Sequence, residues 1–270
     1  MRSLPVLFVS IFFSLSSLAQ DLYKIDLLAY GGLPEDTLGR HIQVLYNTAF
    51  ITGYSNELKN PLWTVYRFGN LKGVDKSSNW ERPFDFKTDR RTTAKVNHED
   101  YTGTKYDRGH MAPNSGILGQ YGQLAQLETF LMSNITPQKP DLNRKIWAKL
   151  ETLIRESISQ DDTKNREVHD AYVICGPIFE KHPVEQLESG IAIPTSFYCI
   201  VSYQRGYSGT VKAVALKIPQ DPTSELIASY FTTVDELEKV THFNFFPALS
   251  GKQQENLESK KRDFQLNDLR

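Results

Sequence analysis

The chain has 270 residues, 40% of them hydrophobic and 11% aromatic, enough to bury a sizeable core in one domain. Its 31 basic and 32 acidic residues nearly cancel, which excludes binding to a polyanion through bulk charge and leaves only local positive charge for such a task. Two cysteines without a CxxC spacing exclude a thiolate metal site.

Residues 1–20 read as a secretory signal. Arg2 supplies the positive charge, residues 6–18 are apolar with interspersed serines, and Ala19-Gln20 precede the polar Asp21. The stretch is too short and too serine-rich for a membrane span, and no cysteine near Ala19 suits a lipoprotein, so a secreted or periplasmic location is expected. Residues 21–60 read as an N-terminal variable segment with a turn at Gly31-Gly32-Leu33-Pro34 and a short strand at 42–46. Residues 62–67 predict a strand. Residues 77–107 are polar with little periodicity, a long loop of the kind that often carries function.

The run Tyr106-Asp107-Arg108-Gly109-His110-Met111-Ala112-Pro113 then joins an imidazole, which takes a proton near neutral pH, to a guanidinium suited to a phosphate oxygen. Residues 124–131 predict a helix, and a second helix runs from Asp141, read as its N-cap, to about 159. Residues 171–178, 196–203 and 210–218 predict three strands. Cys175 and Cys199 lie in two of these, and a cross-sheet disulfide and two buried thiols fit the sequence equally. Thr233 and Glu236 form a capping-box start for a helix over 234–240, and residues 251–270 read as a polar tail that frays. Strands and helices do not alternate strictly. The expected fold is therefore α+β, a single layered domain over 61–250 with a central, largely antiparallel sheet flanked by helices.

Projected as an ideal helix, the 141–159 segment places Ile146, Trp147, Leu150, Leu153 and Ile154 on one apolar stripe. Asn143 falls inside that stripe, and Glu151 and Arg155 lie on its margin. An amide on a buried face needs a partner: either a bond to a cap or neighbouring loop, or its oxygen ligating a hard cation such as Mg²⁺.

These pieces have further companions: Ser133-Asn134-Ile135-Thr136-Pro137-Gln138, Leu142-Asn143, Ala171-Tyr172-Val173-Ile174-Cys175-Gly176-Pro177, Ile193-Pro194-Thr195, Thr232-Thr233-Val234-Asp235-Glu236 and Phe245-Phe246-Pro247. In this order they resemble the DNA/RNA non-specific endonucleases, the ββα-metal (His-Me finger), endonuclease G-like family, from about Trp63 to Leu249. The resemblance implies a ββα-metal finger and a Mg²⁺ cofactor, with Mn²⁺ as a substitute. It implies His110 as general base, Asn143 as metal ligand and Glu151 as the acid that orients waters around the cation. Arg108 and Arg155 match arginines of the phosphate region, and Asn134 and Gln138 match residues lining the site. A further arginine is implied upstream: Arg82 is the best match, with Arg90 and Arg91 as alternatives.

DNA and RNA would be cut alike, because contacts to the phosphate backbone carry no base information, and the resemblance implies 5′-phosphate ends. A homodimer is compatible with this reading. Two other functions keep the same fold: a non-cleaving nucleic-acid-binding protein, and an extracellular phosphodiesterase for small phosphate esters. The other histidines (His41, His98, His169, His182 and His242) read as surface or loop residues. Asn134-Ile135-Thr136 is formally a glycosylation sequon, argued against by its place in the site-bearing segment. Asp107 reads as a structural carboxylate bonding the turn that presents His110.

Overall fold

Alternating side chains on long strands dictate the centre of the molecule, which a computed structural model describes for residues 19–69, 80–157, 168–180, 183–205 and 210–260. Strands β1 (Gln43–Tyr46), β2 (Phe50–Ser55) and β3 (Asn60–Gly69) precede a short ribbon of β4 (Asp107–His110) and β5 (Ile135–Gln138). Strands β6 (Val168–Ile178), β7 (Ser196–Arg205), β8 (Val211–Pro219) and β9 (Phe231–Thr232) follow. Seven of them form one antiparallel sheet in the order β9-β8-β7-β6-β3-β2-β1, and β4 pairs with β5 apart from it.

Both faces of the sheet are covered, which is why β6, β7 and β8 read as nearly unbroken apolar runs. Val173, Cys175, Phe197, Cys199, Val201, Val214, Leu216 and Ile218 pack in one core with Leu142, Ile146, Trp147, Leu150 and Ile154 of the long helix. Ile174, Tyr198, Ile200, Ala213 and Ala215 pack in the other core, with Leu28, Val234, Leu237, Phe245, Phe246 and Leu257. The expected α+β class and antiparallel sheet stand.

Four expectations change. The boundary at residue 60 cuts a β-hairpin, because β2 and β3 pair directly from Ser55↔Asn60 onward. The N-terminal segment is therefore part of the sheet. The polar tail begins as a helix, Gly251–Glu258, held by a capping box between Ser250 and Gln253 and by Leu257, which is 4% exposed. At the start of the helix 234–241 only half of the expected box forms: Thr233 Oγ1 accepts from the Glu236 N–H, while Glu236 pairs with Lys239. Cys175 and Cys199 face each other in register on β6 and β7 as free buried thiols, and Cys175 donates to the Met111 carbonyl at 3.3 Å.

The long helix also departs from an ideal one. It opens at Pro140, whose missing N–H and fixed φ suit a first turn. Asp141 is already helical, makes no cap bond, and instead pairs with Lys145 at 2.9 Å. Leu142–Trp147 then form a widened π turn before the regular helix Ala148–Ser157. The extra residue in that turn shifts the stripe: Leu142 is fully buried, while Asn143 and Leu153 are only half-buried.

The signal segment 1–18, residues 77–79 of the long loop, 158–159 of the helix, His182 and the tail 261–270 lie outside the described residues. Among the described residues no helix is long and apolar enough to cross a membrane.

Candidate active site

The β4–β5 ribbon carries His110 at its end, paired with Ile135. Gly109 makes the ribbon possible. Its added Cβ would run into the Gln138 amide, with Cγ of that residue at 2.6 Å. Gln138 is fully buried and has no space to swing aside. Gly109→Ala is therefore expected to cost about 2 kcal/mol through overpacking, a fall of roughly 4–8 °C in melting temperature. An unchanged melting curve would mean that the two strands tolerate a wider separation.

Beyond His110 the chain turns into two helices, Asn114–Tyr121 and Gln123–Thr129, and the Asn134 amide holds this turn closed. Its oxygen accepts from the Ala112 N–H at 2.8 Å, and its nitrogen donates to the carbonyls of Ala112 and Thr129, both at 3.0 Å. Asn134 and Gln138 are both fully buried. Neither therefore lines an open surface: Asn134 braces the turn after His110, while the Gln138 amide packs against Gly109 without a hydrogen-bond partner.

The His110 ring is 8% exposed and walled by Phe86 and Phe130, with centroids at 5.3 and 5.0 Å. Its Nε2 has no hydrogen-bond partner. Burial first, and then the Arg82 cation, hold the imidazole down at about 3, so it is neutral at any working pH. The Arg82 guanidinium lies 5.6 Å from the Phe130 ring centre. Its charge also acts on Glu151, as does that of Arg155.

Glu151 keeps some contact with solvent, yet protein crowds it on most sides, and this burial pushes its carboxyl up to about 8. Against that push work the Trp147 indole N–H, which comes near without reaching hydrogen-bond geometry, and then Arg155 and Arg82.

The charge of Arg82 thus acts on both titratable groups. Arg91 is spent elsewhere, in a two-pronged ion pair with the buried Asp89 and in bonds to the Tyr46 carbonyl and Asn47. Arg90 is an exposed neighbour whose carbonyl accepts from Lys95. Arg108 shares the Phe86 wall with His110, but its Nε and Nη2 donate to the His98 carbonyl at 3.1 and 2.6 Å. It braces the long loop against the ribbon.

Asn143 is tied to the same strand from the other side. Its Nδ2 donates to Asp107 at 2.9 Å, and Arg144 grips both oxygens of that carboxylate. The expected role of Asp107 changes accordingly: it bonds the helix start rather than its own turn. The bond commits the nitrogen end of the Asn143 amide and leaves Oδ1 without a donor among the described residues. A part-exposed, neutral, hard oxygen of this kind suits Mg²⁺, which keeps most of its waters and needs few protein ligands.

An imidazole, a raised carboxyl, two arginines and a part-exposed amide oxygen thus come from one ribbon, one loop and one helix. Residues 34–252 of the chain match the DNA/RNA non-specific endonuclease family. The chain belongs to that family. As a DNA/RNA non-specific endonuclease family member it is a nucleic-acid hydrolase.

Relatives include a nuclease of Serratia marcescens, 28% identical over 93% of this chain and 91% of its own length. A nuclease of Nostoc sp. is 29% identical over 80% of this chain and 78% of its own. Human mitochondrial endonuclease G is 26% identical over 76% of this chain and 70% of its own. A chain in the crystal structure of the EndoG/EndoGI complex shares the fold, with a TM-score of 0.66 and 23% identity over 86% of this chain and 94% of that one.

Two features of this family member escaped the sequence reading. Phe86 and Phe130, which desolvate His110, sit in segments whose aromatics looked like ordinary core. Arg144, which fixes Asp107, has no role in that reading, and only its contact with the ribbon distinguishes it. Asp235, Glu238 and Glu258 bring carboxylate oxygens within 4.8 Å of one another, but they belong to the helices covering the opposite face of the sheet.

Proposed function

We propose that the chain is an exported, Mg²⁺-dependent, sugar-non-specific endonuclease that hydrolyses phosphodiester bonds of DNA and RNA, with His110 as general base. The observation that supports it most is the single arginine, Arg82, placed against both a neutral imidazole and a raised carboxyl. A cation in that position faces substrate phosphate while the imidazole stays free of its own proton.

His110 takes the proton of the attacking water, which is then aligned with the phosphorus. Burial is the larger cause of the lowered basicity of the ring, and binding of the phosphate relieves the second, because the anion offsets the Arg82 charge. Arg82 and Arg155 hold the phosphate in register, which converts much of the entropic barrier into binding. Glu151, in its charged form, accepts hydrogen bonds from waters in the cleft and keeps them oriented. Asn143 Oδ1 would hold the Mg²⁺, for which Mn²⁺ can stand in. When bound, the cation supplies charge stabilisation for the phosphate and the departing 3′ oxygen. The products carry 5′-phosphate ends.

Breadth of substrate follows from the donor set: guanidinium groups and a cation read phosphate and leave the base unread. The signal-like composition of residues 1–20 supports an exported protein.

Supercoiled plasmid and a structured RNA, each incubated with the purified protein in Mg²⁺ and in excess EDTA, test this reading. Nicking, then linearisation and degradation, is expected in Mg²⁺ alone, with RNA cut under the same conditions. Intact plasmid in Mg²⁺ with retarded migration would make the protein a binder. Hydrolysis of bis-p-nitrophenyl phosphate without cleavage of either polymer would make it a small-ester phosphodiesterase.

A further inference from the structure

Residues 80–86 of the long loop point in two directions. Arg82, itself exposed, lies over Phe130, and Phe86 packs inward onto His110. Between them Phe84 stands 92% exposed, more than any other large hydrophobic side chain described, and Trp80 is 45% exposed. Leaving a phenyl ring in water forgoes about 2 kcal/mol of burial. Pro83 fixes its own φ and limits the ways the loop can fold the ring inward.

The position of the ring matters as much as its exposure. Phe84 is two residues from both Arg82 and Phe86, so its Cα lies within about 7 Å of each of theirs. A flat apolar side chain therefore branches from the chain within two residues of Arg82, which would hold the scissile phosphate. The local charges say which part of a polynucleotide fits it. Glu81 and Asp85 flank the ring, and Lys87 is engaged at 3.9 Å with Asp85, so this stretch offers phosphate no net attraction. What it offers is a π-face.

We propose that Phe84, with the exposed Trp80 four residues before it, is a stacking platform for an unpaired nucleobase next to the scissile phosphate. This deepens the nuclease reading and rests on it. Bases inside a duplex are already stacked on their neighbours, so the platform acts on single strands, frayed ends and loops. It is tolerant of base identity, because every base presents a π-face, and so adds strand preference without adding sequence specificity.

The test compares kcat/KM on a single-stranded oligonucleotide with that on a duplex of the same sequence. Phe84→Ala is expected to lower the single-strand to duplex ratio about tenfold, mainly through KM on the single strand, the scale of one lost base stack. Phe84→Tyr restores the ratio. The exposed ring supports no packing, so the melting temperature of the Ala variant should match that of the parent. A ratio unchanged in Phe84→Ala, or a fall that Tyr does not restore, overturns the platform while the nuclease reading stands. Parent protein inert on both strands overturns the nuclease reading itself.

A second measurement is independent of turnover. In a His110→Ala background, binding of an oligonucleotide should quench Trp80 fluorescence, and an abasic residue at the scissile position's neighbour should abolish the quench. Equal quenching by abasic and intact strands overturns the proposal.

Discussion

His110→Ala is expected to lower kcat on DNA and RNA by about 10³-fold, near the upper part of the range for loss of a general base. Among the described residues of the ribbon's end the imidazole is the group that can take a proton, and neither Arg82 nor Asn143 can replace it. Its loss should leave the fold nearly intact. The ring is 8% exposed with an unpartnered Nε2, so removing it relieves an unsatisfied polar atom and opens a cavity between Phe86 and Phe130. The two effects oppose each other at about 1–3 kcal/mol each, and the melting temperature should stay within roughly 4 °C of the parent.

The pH profile carries a second signature. kcat/KM reports the free enzyme, in which burial and Arg82 hold His110 at about 3, so no break is expected at the ordinary histidine value of about 6.5. Glu151, pushed up to about 8, gains its charge as pH rises, so kcat/KM should climb toward that value and flatten in Glu151→Gln. More than a tenth of parental activity in His110→Ala would remove the histidine from the reaction.

Asn143→Ala is expected to act through the cation. The Mg²⁺ concentration for half-maximal rate should rise at least tenfold, and the rate at saturation should fall by about 10²-fold or more. The side chain is half-buried, bonded by its nitrogen to Asp107, and leaves its oxygen outward. Truncation therefore removes an oxygen ligand without opening the core, and circular dichroism should show an unaltered fold. EDTA should bring the parent to the level of the variant. An Asn143→Ala protein with the parental Mg²⁺ requirement would place the cation on other residues.

Much of the site was legible because its residues are close in sequence or repeat at helical spacing. His110 and Arg108 announce themselves within one short run, and Asn143, Glu151 and Arg155 keep their order on one helix whose apolar stripe is visible beside them. The strands were legible for a similar reason, since β-branched and aromatic runs bounded by turns have few other uses. Helix ends were less so. Asp141 has the chemistry of an N-cap, yet Pro140 already satisfies the first turn, and the π turn after it answers to packing against the sheet.

Sequence alone determined the family, the antiparallel α+β architecture, and the candidates for base, oxygen ligand and carboxyl, because local pattern and residue chemistry carry that information. Only the tertiary structure set Arg82 apart from Arg90 and Arg91, since the three are chemically equal and differ only in what surrounds them. It also turned Asn134 and much of Arg108 into supports, buried Gln138, and placed Phe86 and Phe130 around the imidazole. Burial and charge proximity are properties of space, and residues dozens of positions apart set them together.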